Sequence, residues 1–512
     1  MCGLLFVKNF PVAIERFERA VDSMSHRGPD ARGISVQDGP GHSLLLGHRR
    51  LKILDLDPRS DQPFTTSDGR HSIIFNGEIY NYRELAQRHS VALTTTSDTE
   101  LLLLLYLKLG TQMLAQLNGM FAFVITDNRT GSYFVARDRL GIKPLYAFRR
   151  GGSVLFSSEV RPIVELTGRT EVDPFGLRQY RKLRTFFNGR TLYNEIKMFP
   201  AGAFEIDGKL ERYWQLPEAE QAPPHDEEVR DLLKSAVAYR CISDVPVGSY
   251  LSGGLDSTIV AALAEKPDTW AVGSAGNNEF EYARMAADKI GSRHHEVVFE
   301  EAGFLDVCRM LVRERMEPLS VPNEVALYLM TRQVKERNTV VLSGEGADEA
   351  FFGYDRIFRW AAAAESFDLR EFDRLYSYGT NPDPEVLEDA LAPFRHLERP
   401  LSIVAAFFQI AHLHGLLRRL DNSTMRCGVE ARVPFVDHRI VEKMAGVAID
   451  YRMQDGIVKA PLKRVFADLV PPPIINREKV GFPVDLPLIF GVPQHAAMDR
   501  WLEFNLECLL AI

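Results

Sequence analysis

Ser252-Gly253-Gly254-Leu255-Asp256-Ser257 is the stretch on which the reading of this chain turns. An apolar run, 245–251, leads into it with the look of a buried strand, and an alanine-rich run, 258–264, leads out with helical character. Strand, glycine turn and helix in that order aim backbone N–H groups and the positive end of a helix dipole at one point, which is an anion site. No lysine follows the glycines, so this is not the GxxxxGK[ST] nucleotide loop. By itself the hexapeptide serves equally well as a tight turn in an ordinary α/β domain.

The hexapeptide resembles the pyrophosphate loop (PP-loop) of enzymes that cut ATP between its α- and β-phosphates. Asp256 fits that chemistry, because Mg²⁺ keeps water ligands and bridges phosphate oxygens beside one or two carboxylates. The pattern around it repeats. A helix is expected over 226–238, a strand over 270–273 and a helical stretch over 278–290. A third strand starts at His294, a helix covers 324–336, and a strand from Val340 ends in Ser343-Gly344-Glu345-Gly346-Ala347-Asp348-Glu349. Strands alternating with helices, with glycine turns at one edge, predict a doubly wound parallel sheet that binds ligands at the carboxyl ends of its strands.

At 512 residues two or three domains are expected. The composition, 46% hydrophobic and 25% charged, is that of a soluble globular protein. A net charge of −8 offers no basic field, so nucleic acid is excluded as the main partner. The start, MCGLLFVKNF, lacks the basic segment and cleavage site of a signal peptide, and no apolar run is expected to reach membrane-spanning length. Five scattered cysteines make neither a zinc motif nor a disulfide framework, and a reducing cytoplasm is the expected compartment. The polar, proline-rich stretch 217–225 reads as a linker between domains 1–216 and 226–512.

In the first domain Cys2 raises a specific chemistry. Methionine removal would leave it a free α-amine titrating at about 7.7–8.0, a general base on the same residue as the thiol. Taken alone, a small buried hydrophobe explains it as well. The chain then runs through His26-Arg27-Gly28-Pro29-Asp30, Gly47-His48-Arg49-Arg50-Leu51, Phe75-Asn76-Gly77-Glu78-Ile79, Asn118-Gly119-Met120-Phe121 and Ala136-Arg137-Asp138-Arg139, with short β-like runs between. This order of motifs resembles the class II (N-terminal nucleophile) glutamine amidotransferase domain, which implies an αββα sandwich. The resemblance implies Cys2 as nucleophile and an oxyanion hole from the Asn76 side chain and the Gly77 N–H. It further implies a glutamine pocket with Arg50 on the α-carboxylate, Asp98 on the α-amine, and Ile53 and Glu78 in the wall. The plainer readings are a hairpin turn at Asn76-Gly77 and a surface ion pair for Arg50.

Behind that domain, SGGLDS, Ala271-Val272-Gly273, SGEGADE and Gly428-Val429-Glu430-Ala431-Arg432-Val433-Pro434-Phe435 together resemble asparagine synthetase over nearly the whole chain. The resemblance implies ATP and Mg²⁺ as cofactors, with nucleotide contacts from Leu251, Ser252, Gly253, Gly254, Leu255, Asp256, Ser257, Val272, Ser343 and Gly344. Asp256 and Asp348 would bind the metal, Glu345 would serve the nitrogen nucleophile, and Lys459 would stabilise charge. Lys459 is equally a surface lysine, because Pro461 interrupts an otherwise helical segment, and Arg432 is as readily a buried structural ion pair as a phosphate ligand. A homodimer is the assembly the family suggests.

Three departures bear on the acceptor, for which aspartate is the default and another carboxylate in specialised metabolism the alternative. Residues 319–325 carry no arginine, although the family grips aspartate there with one. Phe352 replaces a usual glycine and is expected to narrow or reshape the mouth. After Lys479-Val480-Gly481-Phe482-Pro483 the tail is short. A β-lactam-forming cyclase on this scaffold typically lacks the cysteine and has tyrosine at the Glu345 position. A non-catalytic regulator would have no need to keep Cys2, Asp256, Glu345 and Asp348 together.

Overall fold

The computed structural model describes residues 2–265, 267–477 and 484–510; the motif at 479–483 lies outside them. In the first half, apolar runs buried on both faces build two six-stranded antiparallel sheets. One places Gly3–Lys8 between Ser153–Ser157 and His42–Arg50. The other places His71–Ile79 beside Gly119–Asp127, which pairs in turn with Ser132–Arg137. Leu4, Phe6, Leu44 and Leu46 face Ile74, Ala122, Val124 and Val135 across the gap between sheets. Alternate residues point outward. Leu5, Val7 and Leu45 pack on helices Ile14–Asp22 and Val160–Thr167, while Phe75, Phe121 and Phe123 pack under helix Asp98–Leu109. The layers are thus helix, sheet, sheet, helix, the αββα sandwich expected.

The second half carries a five-stranded, all-parallel sheet in the order Arg293–Phe299, Asp268–Ser274, Val247–Tyr250, Val340–Leu342, Glu430–Arg432. Leu251 and Leu342 pack on one face against helices Asp226–Arg240 and Leu255–Leu263. Tyr250 and Val341 pack on the other against Asn323–Val334 and Leu413–Met425. Helices on both faces make it doubly wound. The chain leaves the central strand Val247–Tyr250 toward one edge and returns on its other side, so the topological switch point lies between Val247–Tyr250 and Val340–Leu342.

Two expectations fail. The helical run Pro400–Met425 is long and apolar enough to cross a membrane, although 61% of its apolar window is buried inside the protein. Ile403, Val404, Phe407 and Phe408 spend that apolarity on an aromatic core. A π-helical turn, Phe408–His412, interrupts the run. Phe352 also departs from expectation: it is 1% exposed and stacks on Phe358 at 4.1 Å, so it fills the core instead of narrowing a mouth.

A buried ion-pair cluster in the second half reaches the first half through one hydrogen bond. Asp437 accepts from Arg240 at 2.9 Å, from Arg439 at 2.9 Å and from the Asn118 amide at 3.3 Å. Burial alone would raise its pKa, but the two arginines outweigh it and hold the carboxyl below the usual range. Its stabilising contribution is therefore complete above the unfolded value near 3.9 and drains as pH falls below that. Asp437→Ala is expected to lower stability by about 3–5 kcal/mol at neutral pH, because it strands Arg240 out of water. Urea unfolding at pH 7 and in acid checks this: the gap between wild type and variant should shrink in acid, and a constant gap would remove the electrostatic explanation.

Candidate active sites

Cys2 sits at the start of the central strand of the first sheet, 6% exposed. Its nitrogen lies 3.0 Å from Asn76 Oδ1, a contact that ties the two sheets together. Asn76 and Gly77 pair with Ala122 and Phe121 in the middle of a strand, so they form no hairpin turn. Gly77 has φ of +155°, and a Cβ there would sit 2.0 Å from the Met120 carbonyl oxygen. Only glycine allows that approach. Burial pushes the Cys2 thiol up, so the thiolate needs a base beside it.

Arg50 is buried at the end of strand His42–Arg50. Its guanidinium donates to Asp61 at 2.6 Å and to the carbonyls of Leu54, Asp55 and Asp57. The fork is engaged by its own loop, which is more than a surface ion pair. Ile53 is buried with Val340 and Met425 of the second half, in the loop that follows Arg50. Asp98 opens helix Asp98–Leu109 and accepts from the Ile79 N–H at 2.9 Å. Burial raises its carboxyl to about 6, and burial together with Asp98 and Glu430 raises Glu78. Two crowded carboxyls of this kind suit an ammonium group, whose charge would relieve both.

At the switch point the Ser252–Ser257 hexapeptide turns as the sequence demands. Gly253 adopts φ of +73°, and a Cβ there would meet the Ala283 nitrogen at 2.6 Å. Ser252 and Ser257 bind each other through their hydroxyls at 3.0 Å, and Gly254 caps helix Leu255–Leu263. The loop 343–348 closes the other side; a Cβ on Gly344 would lie 3.0 Å from Asp256 Cβ, while Ser343 is buried. Leu251 is wholly buried and floors the loop, and Val272 is half-buried on the neighbouring strand. Lys459 Nζ lies 2.6 Å from Asp256 Oδ2 and 2.6 Å from Asp348 Oδ1. It is buried, so the surface-lysine reading is wrong. Pro461 falls in the first turn of helix Ala460–Val465, where no N–H is needed.

Arg432 belongs elsewhere. It is fully buried, pairs with Glu430 at 2.6 Å and reaches Glu78 at 3.5 Å, so it is structural and faces the first half of the chain. Two residues missed in the sequence border the second site. Arg419 donates to Glu345 at 2.9 Å, and both are partly exposed. Glu349, fully buried and raised to about 8 by its burial and by Asp348, accepts from the Tyr354 hydroxyl at 2.6 Å. The Asp-Glu pair ending SGEGADE was a signal for the second; no local pattern marked the first. Arg315 also approaches the acceptor loop, but Glu324 at 2.7 Å and the Pro318 carbonyl engage its two terminal nitrogens.

The family model described as "Glutamine amidotransferase domain" matches residues 1–214, and that described as "Asparagine synthase" matches residues 228–505. "Asparagine synthetase [glutamine-hydrolyzing] 3" of Bacillus subtilis (strain 168) is 30% identical over 94% of this chain and 87% of its own length. "Asparagine synthetase [glutamine-hydrolyzing] 1" of the same organism is 30% identical over 95% and 87%. "Asparagine synthetase B [glutamine-hydrolyzing]" of Escherichia coli (strain K12) is 29% identical over 94% and 82%. With a buried cysteine leading into a central strand of an αββα sandwich and paired aspartates at the switch point of a parallel sheet, the chain belongs to the asparagine synthase family of ligases and carries a glutamine amidotransferase domain at its N-terminal end.

Proposed function

We propose that this protein hydrolyses glutamine at Cys2 and uses the ammonia to amidate a carboxylate activated by ATP in the second site. The observation that carries the reading is the Asp256–Lys459–Asp348 cluster, set against a glycine loop at the switch point of the sheet. A carboxylate is a poor electrophile until adenylation gives it AMP as leaving group. The fixed positive charge of Lys459 suits the charge that develops on phosphate.

The donor set fits Mg²⁺. Two carboxylates converge on one cationic centre, and that ion takes one or two carboxylates with phosphate and water completing its shell. Asp256 and Asp348 would hold it, and it would neutralise phosphate charge. In the first site the Cys2 α-amine, freed by loss of Met1, takes the thiol proton while Asn76 and Gly77 face the oxyanion. Glu78 and Asp98 receive the glutamine ammonium, and Arg50 exchanges Asp61 for the glutamine α-carboxylate. Ammonia is useful only unprotonated and away from water, which an internal passage between the two sites supplies.

Aspartate is the default acceptor, with Arg419 beside Glu345 standing in for the arginine absent from 319–325. Arg315 cannot fill that role while Glu324 holds it, and this favours a second reading in which the acceptor is a larger or less charged carboxylate. ATP–pyrophosphate exchange across a panel of carboxylic acids separates the two. Under the first reading aspartate supports exchange and saturates in the usual KM range of about 1 μM–1 mM; exchange with other acids but not with aspartate establishes the second. A panel with no exchange at all overturns both.

A further inference from the structure

We infer that helix Leu413–Met425 couples the two sites, with Asp421 and Arg27 acting as positioning residues for Cys2; this rests on the two-site reading above. Arg27 is completely buried and divides its donors three ways. Nε donates to the Cys2 carbonyl at 3.1 Å, Nη1 to Glu159 at 3.1 Å and Nη2 to Asp421 at 2.9 Å. A planar guanidinium held at three corners fixes the Cys2 main chain relative to Asp421. Asp421 belongs to the other half of the chain, on the helix that packs across the parallel sheet.

Two residues earlier on the same helix, Arg419 donates to Glu345 in the second site. Positions i and i+2 on a helix point about 200° apart, so one side chain reaches each way. The two ion pairs differ in character. Side-chain exposures of 19% and 25% leave Arg419–Glu345 open to exchange with an incoming acid, whereas 0% and 3% make Arg27–Asp421 a fixed strut. An acceptor or adenylate that draws Arg419 from Glu345 therefore shifts the helix, and the strut delivers that shift to the residue bearing the nucleophile. Packed helices move by such small rigid-body steps, about 1–2 Å, when sites are coupled.

The test compares wild type, Asp421→Asn and Arg27→Lys as purified full-length enzymes. Glutamate formation is measured with and without MgATP plus the acid that supports pyrophosphate exchange, and amide formation from ammonia is measured alongside. Wild-type glutamate formation is expected to rise on loading the second site by a factor in the usual range of coupling, about 5–150-fold. Asp421→Asn, which keeps the shape and removes the charge, should lose that rise while ammonia-driven synthesis persists. Arg27→Lys, which keeps a cation but not the fork, should behave likewise, and Asp421→Glu should restore part of the response. A wild type indifferent to loading, variants that keep the full rise, or a parallel fall in ammonia-driven synthesis would each overturn the coupling. Absence of exchange and of ammonia-driven synthesis in the wild type would instead strike the two-site reading itself.

Discussion

Cys2→Ala is expected to abolish glutamine-dependent amide formation while ammonia-dependent formation continues. The loss should be roughly 10⁴-fold or more, the scale seen when an enzyme's nucleophile is deleted. The reason lies in the separation of the sites. Cys2 is bonded to Asn76 at the junction of the two sheets, and its side chain takes no part in the aspartate–lysine cluster of the parallel sheet. Alanine also fits the buried space, so the sandwich should fold. Parallel assays with glutamine and with ammonium salt at alkaline pH decide the matter. Equal loss of both activities in a folded variant would show a single site, and persistent glutamate release would show another nucleophile.

Asp256→Asn and Asp348→Asn should have the opposite signature. Each removes one of the two charges that hold Lys459 and that would hold Mg²⁺. Loss of one well-placed electrostatic group costs about 10²–10³ in rate, and loss of a metal ligand compounds it. Pyrophosphate release should therefore fall by at least that factor in both variants. Glutamate formation measured without MgATP should survive, because neither residue touches the cysteine site, and it serves as the control for folding. Normal pyrophosphate release from both variants would remove the cluster from the reaction.

Much of this was legible in the chain itself. The short β-like runs 43–47, 71–75 and 121–126 fall within strands of the two sheets of the sandwich. The glycine turns after Leu251 and Leu342 foretold a parallel sheet with its loops at one edge, and Gly253 and Gly344 are indeed positions where a side chain would collide. These features are local. Strand-length apolar runs, positive φ and close backbone approach are each imposed within a few residues, so a sequence must state them outright.

What the chain left open was long-range. Lys459 reads as a surface residue or a site residue with equal ease until folding sets it between Asp256 and Asp348, both more than a hundred positions away. Arg432, in a motif shared with enzymes of the second site, turns instead toward Glu78 of the first. Phe352 reads as an obstruction and proves to be core. The apolar run 400–425 reads as unremarkable and proves long enough to cross a membrane, its apolar side chains absorbed by aromatic packing. In each case the side chain is charged or bulky, and its meaning depends on which partner neutralises or covers it. A buried charge is tolerable only when paired, and pairing is fixed by tertiary contacts that no local pattern encodes.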